Sequence, residues 1–116
     1  MKNKNEYWPG SYVIIESPYA GDVAKNVLYA RRCVRDSIKH DEYPFASHLL
    51  YTQAGILDDT IPAERERGIA LCEMWSLRAD VTVLYLDYGM SPGMAQAIKV
   101  AKVNGRATSS RFIGEV

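Results

Sequence analysis

Residues 81–101 read VTVLYLDYGMSPGMAQAIKVA, and this stretch holds the clearest strand and the clearest helix start of the chain. The segment 81–87 is almost continuously apolar and predicts a central strand. Ser91 and Pro92 then supply a capping side chain and a first-turn proline for a helix. Apolar residues recur after them at helical spacing, which predicts one packed face.

The same strand–turn–helix pattern occurs near the start of the chain. Residues 12–15 form a short apolar run, the turn-rich letters IESPYAGD follow at 15–22, and residues 23–39 are apolar at helical spacing. The long helix from Pro62 is expected to pack through Gly68, Cys72 and Trp75. The remaining predicted elements are strands at 43–46 and 106–113, a short helix at 47–53 and the long helix at 62–77.

The order of these elements predicts the fold class. Strands alternate with helices, which is typical of a parallel sheet covered on both faces. We therefore expect an α/β three-layer sandwich with a mainly parallel sheet of about four to five strands flanked by helices.

Composition favours a single domain, 1–116, with a polar arm at 1–10. Lys+Arg and Asp+Glu number 14 each, so no overall positive charge points to nucleic acid. No apolar run suggests a signal peptide or reaches the roughly 18 residues of a membrane span. Cys33 and Cys72 are expected to be small core residues in a reducing compartment. We expect a cytoplasmic protein without nucleic-acid or membrane partners.

Two loops are expected at the carboxyl ends of strands, where such sheets bind ligands. Residues 17–22 and 88–93 combine small residues, a hydroxyl and a following helix start, which favours an anionic or sugar-like ligand. The competing interpretation is that any strand-to-helix turn needs small residues. Neither loop has a Walker P-loop ending or a Gly-x-Gly-x-x-Gly pattern, which argues against ATP hydrolysis and dinucleotide redox chemistry. The candidate ligand-binding residues here are Ser17, Pro18, Tyr19, Gly21, Asp22, Asn26, Tyr88, Gly89, Ser91, Gly93 and Met94.

Four further polar residues are candidates for the same site. Glu64 and Arg65 begin the long helix, where acids usually interact with the helix dipole, but they could also reach a ribose or a phosphate. His48 has no second His near it, so no metal site is expected. Asp87 ends the central strand, and an acid at that position is more often functional than structural.

Together the two loops resemble the nucleoside 2-deoxyribosyltransferase-like proteins, part of a wider Rossmann-like superfamily that binds nucleotides and nucleotide-derived signals. The segments SPYAGD, PFASHLLYTQAGILDD, PAERERGI and SPGM resemble small domains encoded by phages and bacteria. The resemblance covers nearly the whole chain and implies a Rossmann-like sandwich, no cofactor and a homo-oligomer, a dimer or larger. Met74 and Trp75 could serve such an interface, although core packing explains them equally well.

The family's enzymes carry Ser-x-Gly-x-x-x-Glu after the central strand, and the glutamate attacks the anomeric carbon of the sugar. The corresponding residues here are Ser91, Gly93 and Ala97. A methyl group cannot attack, and the neighbouring Gln96 is a poor nucleophile. The resemblance implies a ligand contact for Ser91 and the loop tyrosine for Tyr19, but no catalytic residue.

Three functions remain open. The first is non-catalytic binding of a nucleotide-derived small molecule, with Tyr19, Tyr51 and Tyr88 lining the site. If a phage encodes the chain, it would sequester a nucleotide immune signal, of cyclic ADP-ribose type or a cyclic oligonucleotide, in the host cytoplasm. The second is an N-glycosidase or deoxyribosyltransferase-like hydrolase, and the third is an assembly protein whose loops are only turns. We rank binding first and enzyme second. In an enzyme, a carboxylate elsewhere in the chain would replace the missing glutamate, and the candidates are Glu16, Asp22, Glu64 and Asp87.

Overall fold

The computed structural model of the protein describes residues 5–114, which form four strands and three α-helices. Within these residues, no helix is long and apolar enough to cross a membrane. The elements are β1 (Tyr12–Glu16), α1 (Val23–Lys39), β2 (Tyr43–Ala46), α2 (Pro62–Ser76), β3 (Val81–Tyr85), α3 (Pro92–Val103) and β4 (Ala107–Arg111).

The strands form one parallel sheet in the order β2-β1-β3-β4. β1 and β3 are central, and their register pairs Ile15 with Val83. These two strands are the most apolar, as expected for strands buried on both faces. The edge strands contain Pro44 in β2 and the polar sequence ATSSR in β4, which suits positions with one unpaired side. The predicted Rossmann-like sandwich is confirmed, and its central strand begins at Val81 as predicted but ends at Tyr85 instead of Asp87.

Helix α1 covers one face of the sheet and forms the main core with it. Strand residues alternate between the two faces, so every second residue of β1 and β3 points to this side. Cys33 of α1 is fully buried here, as predicted, whereas Cys72 of α2 is only half-buried. The core comprises Val13, Ile15, Tyr29, Cys33, Ala46, Val81, Val83 and Tyr85.

Helices α2 and α3 lie over the opposite face and cover it unequally. α3 buries Met94 and Ala101, whereas α2 buries only Ser76. Met74 and Trp75 of α2 are 63% and 53% exposed. Trp75 is thus more exposed than a residue of the predicted packing side should be, but its ring lies 6.3 Å from that of Phe45 and its Nε1 donates to the hydroxyl of Tyr51 at 2.7 Å. Since α2 contributes so little buried surface, the sheet face beneath it is incompletely filled.

The chain after β2 makes one 3₁₀ turn at Ser47–Leu49 instead of the helix predicted for 47–53. Thr52 Oγ1 donates to the carbonyl of His48, and Gln53 Nε2 donates to the next carbonyl along the chain. In a continuing helix, backbone amides would bond to these carbonyls. Here side chains do so, and this local competition ends the turn.

Of the predicted arm at 1–10, residues 1–4 lie outside the described part of the chain. The rest packs against its own chain. Asn5 Nδ2 donates to the carbonyl of Phe112 at 2.7 Å. The ring of Tyr7 stacks on His40 with a centroid distance of 3.5 Å. This segment therefore adds to the layer that contains α1.

A buried ion pair joins the two edges of the sheet next to this segment. Arg111, at the end of β4, donates to both carboxylate oxygens of Glu42, which precedes β2, and both side chains are 0% exposed. Glu42 also accepts from Ser37 Oγ and from the amide of Trp8. Burial raises the pKa of Glu42, but these hydrogen bonds outweigh it and hold the pKa below its usual value. Both charges are thus compensated inside the protein.

Candidate functional site

A cavity of about 690 Å³ lies between α2, α3 and the sheet face that α1 leaves free. Its floor consists of residues from the central strands, Ile14 and Glu16 of β1 and Thr82 of β3. Its volume lies within the range of small-molecule sites, roughly 300–1,000 Å³. Other lining residues are Tyr19, Ala20, Phe45, Ser47, His48, Tyr51, Glu64, Arg65, Gly68, Cys72, Glu73, Ser91, Gly93, Gln96, Ala97 and Arg106.

Two opposite charges stand on the cavity floor. Glu16 ends β1 and shares a strand face with Ile14. Burial raises the pKa of Glu16 to about 7, and the positive charge of Arg106 opposes this effect. Arg106 Nε donates to Thr82 Oγ1 at 2.9 Å, and its Nη1 donates to the carbonyl of Ser76 at 2.9 Å. The cavity therefore presents a carboxyl group that titrates near neutral pH, together with a fixed cation.

Tyr19 and His48 form an aromatic part of the wall. Their rings are stacked, with centroids 4.8 Å apart and planes inclined by 23°. Burial lowers the pKa of His48, and the nearby carbonyl of Ser17 only partly offsets this, so the imidazole is neutral at neutral pH. A neutral, flat pair of rings is a surface on which an aromatic ligand can stack.

Four candidates of the first loop do not line the cavity, namely Ser17, Pro18, Gly21 and Asp22. Ser17 is 1% exposed, and within residues 5–114 its Oγ has no hydrogen-bond partner. Pro18 is half-buried and Gly21 is exposed, and neither contributes to the lining. Gly21 has a φ of 95°, a backbone conformation that favours glycine. Its contribution is to the path of the loop.

Two polar side chains fix the conformation of this loop. Asp22 caps α1 by accepting a hydrogen bond from the amide of Lys25 at 3.1 Å. Asn26 Nδ2 donates to the carbonyls of Tyr19 and Ala20, at 2.9 and 3.0 Å. Neither Asp22 nor Asn26 lines the cavity, but together they hold in place the residues that do.

The start of α3 forms another wall. Ser91 and Gly93 line the cavity, whereas Met94 is 1% exposed and packs beneath the helix. Ser91 Oγ accepts from the amide of Met94 at 3.2 Å, and Pro92 has no amide hydrogen. The helix start consequently offers an anion fewer free donors than the sequence suggests. Ala97 follows along the same helix and lines the cavity with a methyl group.

The first turn of α2 brings Glu64 and Arg65 to the cavity. Glu64 Oε1 accepts from the amide of Asp58 at 2.8 Å, which stabilises the turn before the helix. Arg65 is exposed, and its guanidinium has no hydrogen-bond partner within residues 5–114. It is thus a cation available to a ligand at this wall.

Asp87, Tyr88 and Gly89 do not line the cavity. Asp87 accepts from the hydroxyl of Tyr29 and from two backbone amides of the C-terminal segment, each at 2.9 Å. Burial raises the pKa of Asp87, but these bonds outweigh it and hold the pKa below its usual value. The Tyr88 ring lies 4.5 Å from that of Tyr29 on the α1 side. In this geometry Asp87 joins the C-terminal segment to β3.

The sequence pattern indicated Glu16 only as a candidate carboxylate for an enzyme and did not indicate Arg106 at all. Glu16 gave a usable signal, because it follows the apolar run of β1 just as Asp87 follows that of β3. Arg106 gave none, because it precedes a polar edge strand and resembles a surface residue. Within residues 5–114, no three His, Cys, Asp or Glu side chains are grouped as metal ligands.

Comparison with known proteins identifies a family without assigning an activity. No curated protein and no solved structure matches the sequence. The sequence profile of the family described as Domain of unknown function (DUF7768) matches residues 11–111. This range contains all four strands, the three helices and every residue that lines the cavity. The chain therefore belongs to the DUF7768 family.

Proposed function

We propose that the protein binds a nucleotide-derived small molecule in this cavity and returns it unchanged. The observation that carries the proposal is one cavity of about 690 Å³ that brings together Tyr19 of the first loop, Ser91 of the second and Ala97. A site of this size encloses one small molecule rather than a polymer.

The lining suits the parts of a nucleotide. The stacked rings of Tyr19 and His48 offer a flat face to a base. Arg65 offers a guanidinium to a phosphate, and Ser91 lines the wall that the start of α3 forms. Binding without turnover needs such preformed contacts and no nucleophile, which fits a methyl group at position 97.

For a phage-encoded chain, the specific form of this proposal is sequestration of a nucleotide immune signal in the host cytoplasm. A homo-oligomer also belongs to the proposal. Met74, Trp75 and Leu77 at the end of α2 are all more than half exposed and provide apolar surface for an interface. Light scattering on the purified protein gives its mass in solution and tests this part directly.

The experiment incubates purified protein with a nucleotide extract, removes unbound molecules, and identifies heat-released compounds by mass spectrometry. Ala97→Phe places a ring inside the cavity, where it obstructs the ligand, and should strongly reduce retention. Ala63→Phe places the same ring on an exposed position of α2 outside the cavity and should retain as much as the wild type. Equal recovery from both variants, or no recovery from the wild type, would contradict the proposal.

A second candidate function, N-glycosidic hydrolysis, is favoured by Glu16. A carboxyl group with a pKa of about 7 in a cavity suits a general acid. Glu16 would give its proton to the base nitrogen as the C1′–N bond breaks. A water oxygen would bond to C1′, and the proton that this water loses would return to Glu16. Recovery of a free base and a free sugar fragment in the experiment above, lost in Glu16→Gln, would establish this function instead.

A further inference from the structure

The two charges on the cavity floor face the same space without pairing. Within residues 5–114, the ion pairs are His40–Asp36 and Arg111–Glu42, so Glu16 and Arg106 are more than 4.0 Å apart. Arg106 uses Nε and Nη1 for protein contacts, and its Nη2 has no partner in the described part of the chain. The carboxylate of Glu16 accepts no hydrogen bond from residues 5–114.

Such an arrangement is costly in the empty protein. A half-buried carboxylate without donors loses water contacts and gains no protein contacts in exchange. The neighbouring Arg106 is well placed to compensate but is held by Thr82 and Ser76 instead. The unused hydrogen-bonding capacity of both groups therefore points into the cavity, where a ligand can use it.

The chemistry of the pair defines its complement. A carboxylate binds two adjacent N–H donors in a bidentate manner, and a guanidinium binds a carbonyl oxygen. One planar edge that offers both is that of a 6-oxopurine, with O6, N1–H and, in guanine, the N2 amino group. Adenine would direct its amino group at Arg106, and uracil would direct a second carbonyl at Glu16.

We propose that Glu16 and Arg106 recognise the base edge of a 6-oxopurine nucleotide, with guanine preferred over hypoxanthine. This inference rests on the proposed function, since it assigns the base to the ligand of the same cavity. The base stacks on the outer face of the Tyr19–His48 ring pair, and the sugar and phosphate extend towards Arg65 and Ser91.

The test measures binding of GMP, IMP and AMP to the full chain by isothermal titration calorimetry. GMP should bind about 10- to 100-fold more tightly than AMP, with IMP between them because it lacks the amino donor. Glu16→Gln should reduce the preference for GMP over AMP at least about tenfold. Glu66→Gln removes an exposed carboxylate outside the cavity and is the matched control.

The three wild-type affinities test the inference even if a variant fails to fold. Binding of AMP as tight as that of GMP would overturn the 6-oxopurine assignment and leave nucleotide binding intact. Binding of none of the three would overturn the assignment, and retention of another nucleotide from the extract would then show that the proposed function survives. Glu16→Asp keeps the negative charge, but its shorter side chain holds the carboxylate farther from the base. This variant should weaken GMP binding more than AMP binding.

Discussion

The stability advantage of Glu16→Gln over the wild type should be larger at alkaline pH than at acidic pH. Burial raises the pKa of this carboxyl group from its usual 4.5 to about 7. The folded protein consequently holds a proton that the unfolded chain releases. The contribution of Glu16 to stability is complete below 4.5 and is lost as the pH rises through about 7. Glutamine does not ionise, so the variant escapes this loss.

The size of the effect follows from the two pKa values. One unit of pKa corresponds to about 1.4 kcal/mol, so the complete loss is about 3 kcal/mol. About 2–3 kcal/mol of it falls between about pH 5 and about pH 8, because there the unfolded chain has released the proton and the folded protein holds it until its own carboxyl group ionises. A cost of this size is a large part of the stability of a small domain.

The assay is urea unfolding followed by the fluorescence of Trp8 and Trp75 at these two pH values. Other groups titrate in both proteins, so the informative quantity is the stability of Glu16→Gln minus that of the wild type. This difference should favour the variant by about 2–3 kcal/mol more at the higher pH. Glu66→Gln controls for the loss of one negative charge. A difference that is the same at both pH values would refute the burial of an unpaired carboxyl group at position 16.

Three further changes test other parts of the structure, each by urea unfolding. Arg111→Ala should lower the free energy of unfolding by about 3–5 kcal/mol because it leaves the charge of Glu42 buried without a partner. The double variant Arg111→Met, Glu42→Leu removes both charges and should recover most of that loss. An equal loss in the single and the double variant would contradict this explanation. Asn26→Ala should lower the free energy of unfolding by about 1–3 kcal/mol because it leaves two loop carbonyls without a hydrogen bond. It should also weaken ligand retention. Full retention would mean that the loop conformation does not matter for binding. Gly21→Ala should lower the free energy of unfolding by about 1–3 kcal/mol because alanine is strained at this positive φ, whereas an added Cβ meets no atom within 4 Å. An unchanged stability would show that the loop relaxes freely.

The sequence predicts the sheet well because its central strands have an unambiguous pattern. β1 and β3 are apolar at nearly every position, and the helices after them begin at good capping residues, Asp22 and Ser91. The turn after β2 was harder to predict. There the outcome depends on whether side chains such as Thr52 or backbone amides bond to the carbonyls, and composition does not decide this competition.

The site was less predictable than the fold because it depends on strand faces. Asp87 and Glu16 follow equivalent apolar runs, but Asp87 points to the face covered by α1, whereas Glu16 points to the face with the cavity. The alternation of side chains along a strand shows that two residues lie on different faces of the sheet. It does not show which of those faces is less completely filled and therefore holds the cavity. That depends on α2, whose apolar residues are spread around the helix instead of forming a stripe.

The ion pair between Arg111 and Glu42 has a kinetic consequence. Its two members are 69 positions apart and belong to opposite edges of the sheet, so the contact forms only after both edge strands are in place. Contacts between distant parts of the chain require the closure of long loops and form late in folding. Interactions absent from the transition state govern the unfolding rate rather than the folding rate. Arg111 should therefore chiefly prolong the lifetime of the folded protein, including its resistance to proteases that act on the open chain.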